Sequence, residues 1–210
     1  MDGNNRWSKK NQTNRSQAYK KGGDNLLKIA NYIFNKYKVK YVSSFALSFH
    51  NLKRSNNFLN IFLEVFKSYI NNLSIINNYN FKVKFIGDLS FIKDIKVINQ
   101  VLDLEKKNLS SDYTLLIYLN YSGQIDIFNA AKKFSKNNSL QFENYLSTKL
   151  IPNPDILIRT GGFQRISDFM LYQISFTELF FTKILWPDLK LSHIDKFIIK
   201  FSKLERKFGI

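Results

Sequence analysis

Arginine is scarce in this chain and lysine abundant. Of 32 basic residues, 26 are Lys and six are Arg, namely Arg6, Arg15, Arg54, Arg159, Arg165 and Arg206. Where Lys is the ordinary positive charge, Arg marks positions that need a planar, two-pronged donor, most often against phosphate or carboxylate. Four of the six sit in two polar stretches. One is Asp2-Gly3-Asn4-Asn5-Arg6-Trp7, followed by Arg15 and by Gly22-Gly23 at what reads as a helix start. The other is Arg159-Thr160-Gly161-Gly162-Phe163-Gln164-Arg165-Ile166-Ser167, where two arginines and a serine flank a Gly pair. Backbone N–H groups of such loops and helix starts add to arginine forks, so both stretches read as diphosphate sites.

The chain holds no cysteine, and its two histidines, His50 and His193, are far apart in sequence. Thiol chemistry, disulfides and Cys- or His-ligated zinc are thereby excluded, leaving a hard, carboxylate-bound cation as the metal to expect. The net charge of +16 favours polyanions, phosphorylated ligands or an acidic membrane face. That charge is mostly dispersed Lys without a nucleic-acid motif, so nucleic acid is not read as a partner. No apolar run approaches the roughly 20 residues of a membrane span, and the first residues lack the apolar stretch of a signal peptide. A cytoplasmic protein with peripheral membrane contact is expected.

The elements that must position these residues alternate. Leu26, Leu27, Ile29, Ala30, Ile33 and Phe34 recur at helical spacing, and 38–46 then reads as a strand. Phe58, Ile61, Phe62, Val65, Phe66 and Ile70 make the next helix, followed by a strand at 81–86, a helix at 92–106 and a strand at 113–119. Further on come a helix at 125–134, a short one at about 140–150, a strand at 155–158 and a closing helix at 194–208. The Asn-rich patch 71–80 reads as a helix end and loop, and 169–181 resists assignment. Strands alternating with helices predict an α/β fold, one domain over 1–210 with a mainly parallel central sheet flanked by helices. Ligands in such folds bind beyond the carboxyl ends of the strands. The segments there are 47–54, 87–90, 120–124 and 159–167, which hold three more or already counted arginines, Arg54, Arg159 and Arg165.

In these blocks the chain resembles the cis-prenyltransferase family almost end to end. The opening is similar to that family's Asp-Gly-Asn-Gly-Arg-Trp signature; Ser48, Asn51 and Arg54 fit its second block. Ile86-Gly87-Asp88, Asn120-Tyr121-Ser122-Gly123, 155–167, Gln173, Glu178-Leu179, Trp186-Pro187-Asp188 and Glu205-Arg206-Lys207-Phe208-Gly209 follow in order. The resemblance implies extension of an allylic diphosphate, such as farnesyl diphosphate, by isopentenyl diphosphate into a long polyprenyl diphosphate, with Mg²⁺ as cofactor. It implies Asp2 and Glu178 at the metal, Glu178 coming from its own chain or across a homodimer contact, with Asp2 and Asn51 catalytic. Gly3, Asn4, Arg6, Trp7, Arg15 and Tyr19 would serve the allylic substrate. Arg159, Arg165 and Ser167 would hold the isopentenyl diphosphate, and Ser48, Leu52 and Arg54 would help position the substrates. An apolar product tunnel would be lined from Phe58, Phe62, Phe66 and Ile70.

The chain departs from the family pattern at Asn5 for Gly, Tyr19 for His, His50 for Glu, Leu52 for Trp, Phe163 for Glu and Asp168 for Asn. Tyr19 can donate a hydrogen bond to a diphosphate but carries no charge, which predicts weaker substrate binding. His50 reads as a solvated loop histidine. Family members also carry an apolar strand before the Asp-Gly-Asn block, and this chain begins at Met1 without it. The expectation is a sheet short of one strand, with unpaired N–H and C=O groups on two neighbours and a true start upstream. A silent subunit supporting a partner enzyme is the competing reading; the presence of Asp2, Arg159 and Arg165 argues against it.

Overall fold

The segment Thr114–Tyr121 is apolar on both faces, and it folds as a strand buried along nearly its whole length. This is what a parallel sheet covered on both sides demands of its middle strand. It is flanked in parallel by Tyr41–Ser48 on one side and Lys82–Gly87 on the other. The computed structural model describes residues 1–52, 56–72, 78–107, 110–137 and 139–206. In chain order the elements are α1 (Asn4–Lys10), α2 (Arg15–Tyr37), β1 (Tyr41–Ser48), α3 (Phe49–Leu52), α4 (Asn56–Asn71) and β2 (Lys82–Gly87). Then come α5 (Ile95–Glu105), β3 (Thr114–Tyr121), α6 (Gly123–Lys136), β4 (Ile156–Arg159), β5 (Glu178–Phe181) and α7 (Leu191–Ser202).

Alternation along β3 divides the core. Leu115 joins Phe34 of α2, Val101 of α5 and Ile194 of α7, whereas Leu116 and Tyr118 meet Met170 on the opposite face. Leu119 packs with Leu47, Phe58 and Phe62 beneath α4. At the far end of α2, Asp195 of α7 accepts hydrogen bonds from Tyr32 at 2.8 Å and Tyr37 at 2.6 Å and pairs with Lys36 at 3.1 Å. These two tyrosine donors hold the Asp195 carboxyl below its ordinary value.

The expected single sheet is two: order β1-β3-β2 in one and β4-β5 in the other, all parallel. Among the described residues β1 pairs only with β3 and β4 only with β5, so each leaves an edge unpaired. Both line one elongated cavity of about 1260 Å³. The chain's first residues bridge the top of this gap: the Met1 amine donates to the Phe45 carbonyl at 3.4 Å, and Trp186 N donates to the Asp2 carbonyl at 3.0 Å.

The structure differs from the sequence reading in several places. Helix α2 starts at Arg15, where Asn14 caps it by accepting from Gln17 N at 2.8 Å, so Gly22 and Gly23 lie inside a helix and not at its start. Gly22 is required by close approach: a Cβ there would lie 2.5 Å from Asn4 Oδ1 and 3.1 Å from the Trp186 ring. The helix expected at 140–150 is only a 3₁₀ turn, Phe142–Tyr145, because Asp126 takes the Ser147 N–H at 2.8 Å and ends propagation. The unassigned run 169–181 contains β5, and α7 stops at Ser202; residues 207–208 of the predicted helix lie outside the described residues. Arg206 bonds Asp155 at 2.6 Å and the Phe176 carbonyl at 3.1 Å, anchoring the chain's end to the small sheet.

Phe34, 1% exposed and stacked on Tyr113, packs in the core between α2 and the sheet. Phe34→Ala is expected to lower stability by about 3–5 kcal/mol in urea denaturation. Asp195→Asn is expected to lose stability at neutral pH, because the amide keeps one acceptor oxygen but loses the other and the charge that Tyr32, Tyr37 and Lys36 face. Since the folded carboxyl titrates below its free value of 3.8, the difference from the parent should be fully present above that pH. It should vanish as pH falls through the lowered folded value, as denaturant midpoints across the acid limb would show.

Candidate active site

The N-terminal residues and the loop after β4 are built as one unit around Asp2. Its backbone N–H donates to Thr160 Oγ1 at 3.1 Å, and that hydroxyl donates to the Asp2 carbonyl at 3.0 Å. Its carboxylate is held by Arg159 at 2.9 Å on one oxygen and by Arg6 at 3.3 Å on the other. Burial pushes the Asp2 carboxyl up, but the Arg159 hydrogen bond and the charges of Arg159 and Arg6 outweigh it and hold it below the ordinary carboxylate value. Arg6 and Asp2 are one helical turn apart across the start of α1. Arg159, the last residue of β4, also donates to Ser167 Oγ at 2.6 Å and to the Arg165 carbonyl.

The Gly pair works differently from the sequence expectation. Gly161 and Gly162 have φ of +87° and +86°, and their N–H groups donate to the carbonyls of Ile184 and Thr182, both at 2.8 Å. They lock the loop to the irregular segment 182–184 that follows β5 and offer no amide to an anion. The close approach that Gly161 permits is to Arg6, whose Nη2 would lie 2.6 Å from an added Cβ.

Across the cavity, Ser48 and Asn51 cap α3 reciprocally: Ser48 N donates to Asn51 Oδ1 at 3.3 Å, and Asn51 N to Ser48 Oγ at 3.2 Å. His50 is not merely solvated. Its Nε2 lies 3.4 Å from Asp168 Oδ2, which also accepts from Ser122 Oγ at 2.5 Å, while Asp168 Oδ1 accepts from Gln124 N at 2.9 Å. Asp168 thus pegs the loop to the start of α6 and to α3. The peg holds Ser167 and Asp168 at φ of 52° and 64°, which non-glycine residues adopt only when surroundings enforce it.

One cavity joins these groups to an apolar interior. Asp2, Asn4, Arg6, Tyr19, Ser48, Asn51, Arg159, Arg165 and Ser167 line its polar end. Phe58, Phe62, Phe66 and Ile70 of α4, with Leu26, Leu27 and Ile33 of α2, line its apolar walls.

A family model described as "Putative undecaprenyl diphosphate synthase" matches residues 1–209. The chain belongs to this prenyltransferase family. An isoprenyl transferase of Helicobacter pylori is 35% identical, the match covering 100% of this chain and 94% of the relative. A farnesyl-diphosphate-specific ditrans,polycis-undecaprenyl-diphosphate synthase of Legionella pneumophila is 34% identical over 100% of this chain and 92% of the relative. Among solved structures, one described as a probable undecaprenyl diphosphate synthase of Campylobacter jejuni superposes with a TM-score of 0.80 at 26% identity, covering 90% of this chain and 92% of the other. Lavandulyl diphosphate synthase of Lavandula x intermedia shares the fold, with a TM-score of 0.87 at 23% identity over 100% of this chain and 95% of the other.

In this prenyltransferase not every residue expected at the site reaches it. Trp7 is buried, donating from its indole N–H to Asp188 at 2.7 Å, and so anchors α1. Leu52 packs with Leu47, Phe58 and Leu119. Gly3, at φ 112°, lies against Leu185 and lines the cavity edge. Arg15 opens α2 and is not among the cavity's lining residues. Glu178 starts β5 opposite Ile156, three ladder positions before Arg159, which places it about 10 Å along the strands from the Asp2 end. One chain therefore does not bring the two metal candidates together. Arg54 lies outside the described residues. The sequence reading missed Thr160, 3% exposed and doubly bonded to Asp2, and the peg at Asp168.

Gly161→Ala and Gly162→Ala separate backbone strain from contact. Both should lose about 1–2 kcal/mol to the left-handed backbone. Only Gly161→Ala should lose more, because its Cβ collides with Arg6, whereas Gly162 has its nearest neighbours at 3.8 Å. Paired urea titrations, with and without inorganic diphosphate, would check both values.

Proposed function

We propose that the chain condenses isopentenyl diphosphate onto an allylic diphosphate, with farnesyl diphosphate the preferred primer, to form a long cis-polyprenyl diphosphate, the precursor of an undecaprenyl-type cell-wall lipid carrier. The observation that carries this reading is the single cavity with guanidinium groups at one end and Phe58, Phe62 and Phe66 along the other. A product with a diphosphate head and a growing apolar tail needs both environments joined. The family and the farnesyl-specific name of the Legionella relative support the choice of primer.

In this reading Arg6, with Asn4, Arg15 and Tyr19, holds the allylic diphosphate, while Arg159, Arg165 and Ser167 hold the isopentenyl diphosphate. The allylic C1–O bond breaks, C1 bonds to the terminal methylene of isopentenyl diphosphate, and a proton leaves its C2; inorganic diphosphate is the second product. Negative charge grows on the leaving group, and fixed guanidinium donors stabilise it there. Ser48 and Asn51, locked to each other at the opposite lip, orient the reacting double bond and the proton that departs.

Asp2 suits Mg²⁺, which is bound through one or two carboxylates with substrate phosphates and water completing its shell. Mg²⁺ bound there would supply further neutralisation of the leaving diphosphate. Because Glu178 lies away from Asp2 within one chain, a metal role for it calls for a second copy, and the proposal includes a homodimer. Among the described residues no helix is long and apolar enough to cross a membrane. A cytoplasmic enzyme whose basic surface meets anionic headgroups fits release of a long apolar product.

Incorporation of labelled isopentenyl diphosphate onto farnesyl diphosphate, with Mg²⁺ and detergent, tests the reading. Polyprenyl product is expected, reduced about 10²–10³-fold in Asp2→Ala. A folded chain that makes no product would overturn the proposal.

A further inference from the structure

Three guanidinium groups gather on one aromatic ring. The Cζ atoms of Arg165, Arg6 and Arg159 lie 4.3, 5.0 and 5.7 Å from the centre of Phe163. All are within the roughly 6 Å over which a ring's negative face attracts a cation. Phe163 is 40% exposed, so core packing does not explain it. Its loop is fixed from behind, since Gly161 and Gly162 are hydrogen-bonded to the carbonyls of Ile184 and Thr182, just past β5.

The chemistry of this holding differs from that of an ion pair. A guanidinium stacks through its face, which leaves the N–H groups along its edge free for an anion; a carboxylate takes those same N–H groups. Asp2 already occupies donors of Arg6 and Arg159. Arg165 has no ion pair, and its guanidinium no hydrogen bond, among the described residues. Where the family pattern has Glu, this chain therefore adds no second carboxylate to the cluster, and Arg165 keeps its charge unpaired beside the ring.

We propose that Phe163 is a positioning residue that holds Arg165 beside the Asp2-paired Arg6 and Arg159 as one shared anion site spanning both diphosphates, with the N–H edge of Arg165 left open for phosphate oxygens. The inference rests on the proposed reaction for the identity of the anion. It predicts that the two diphosphate subsites meet at this ring, and that the ring governs binding more than turnover.

The test compares Phe163→Leu, Phe163→Tyr and Phe163→Glu with the parent. Inorganic diphosphate binding is measured by calorimetry, and KM for isopentenyl diphosphate and kcat by elongation. Phe163→Leu keeps an apolar side chain without a π face and is expected to raise both Kd and KM about tenfold, with kcat within about twofold. Phe163→Tyr, which keeps the face, should stay within about twofold of the parent on all three. Phe163→Glu should weaken diphosphate binding at least as much as Leu, and the loss should shrink with added salt as the new charge is screened. A Phe163→Leu protein that binds diphosphate like the parent, loses kcat alone, or is not matched by retention in Phe163→Tyr would overturn the proposal. Diphosphate binding by the parent without elongation would remove the proposed reaction and leave the role of Phe163 standing. Elongation by the parent with Phe163→Leu unchanged would do the reverse.

Discussion

Asp2 is a carboxylate between two guanidinium groups, and its backbone is clamped as firmly as its side chain. Thr160 and Trp186 fix the peptide while Arg159 and Arg6 fix the oxygens. The four partners come from three separate parts of the chain, α1, the end of β4 and the 3₁₀ turn Trp186–Asp188. Trp186 extends the tie by donating its indole N–H to the Gly22 carbonyl at 2.8 Å, and Asn25 returns two bonds to the Trp186 and Leu189 carbonyls. Helix α2, the small sheet and α1 are thereby referenced to one another through a few polar contacts, most of them partly buried. Such contacts are favourable only when complete, because an unpaired member would carry its full desolvation cost.

The cavity below this clamp works because its ends differ. Aromatic walls exclude water and lower the local dielectric, which strengthens the attraction between the arginines and a phosphate group at the mouth. The same walls offer a growing hydrocarbon chain a contact surface as apolar as itself. Helix α4 supplies both services at once: its inward face holds Phe58, Phe62, Phe66 and Ile70, and the turn of chain before it carries Ser48 and Asn51.

Much of this was legible in the sequence. The run 113–119 read as a strand, the spacing of Phe58, Phe62 and Phe66 gave one helical face, and the family resemblance pointed that face at a tunnel. The rarity of Arg located Arg6, Arg159 and Arg165, which the structure unites. What escaped was set by tertiary partners. Trp7 reads as a site residue because it adjoins Arg6, yet its indole N–H needs Asp188, 181 residues away. The helical pattern at 140–150 failed because a distant carboxylate, Asp126, took a backbone donor. The Gly pair was recognised as special, but which partner its amides would meet depends on β5, a strand too short to show periodicity. The His50 and Asp168 departures look independent in sequence and are one contact in space.

Because Gly161 and Gly162 give their N–H groups to the carbonyls of Ile184 and Thr182, the donors proposed for the anion belong to side chains and not to the main chain. A site built from amides can change only by moving the backbone, and every contact then moves with it. Here frame and donors are inherited separately: single substitutions at Phe163, Tyr19 or Arg165 can alter charge, reach or stacking while the glycine-locked loop stays where it is. The fold can accordingly drift in substrate preference by small steps, each preserving the geometry on which the next depends.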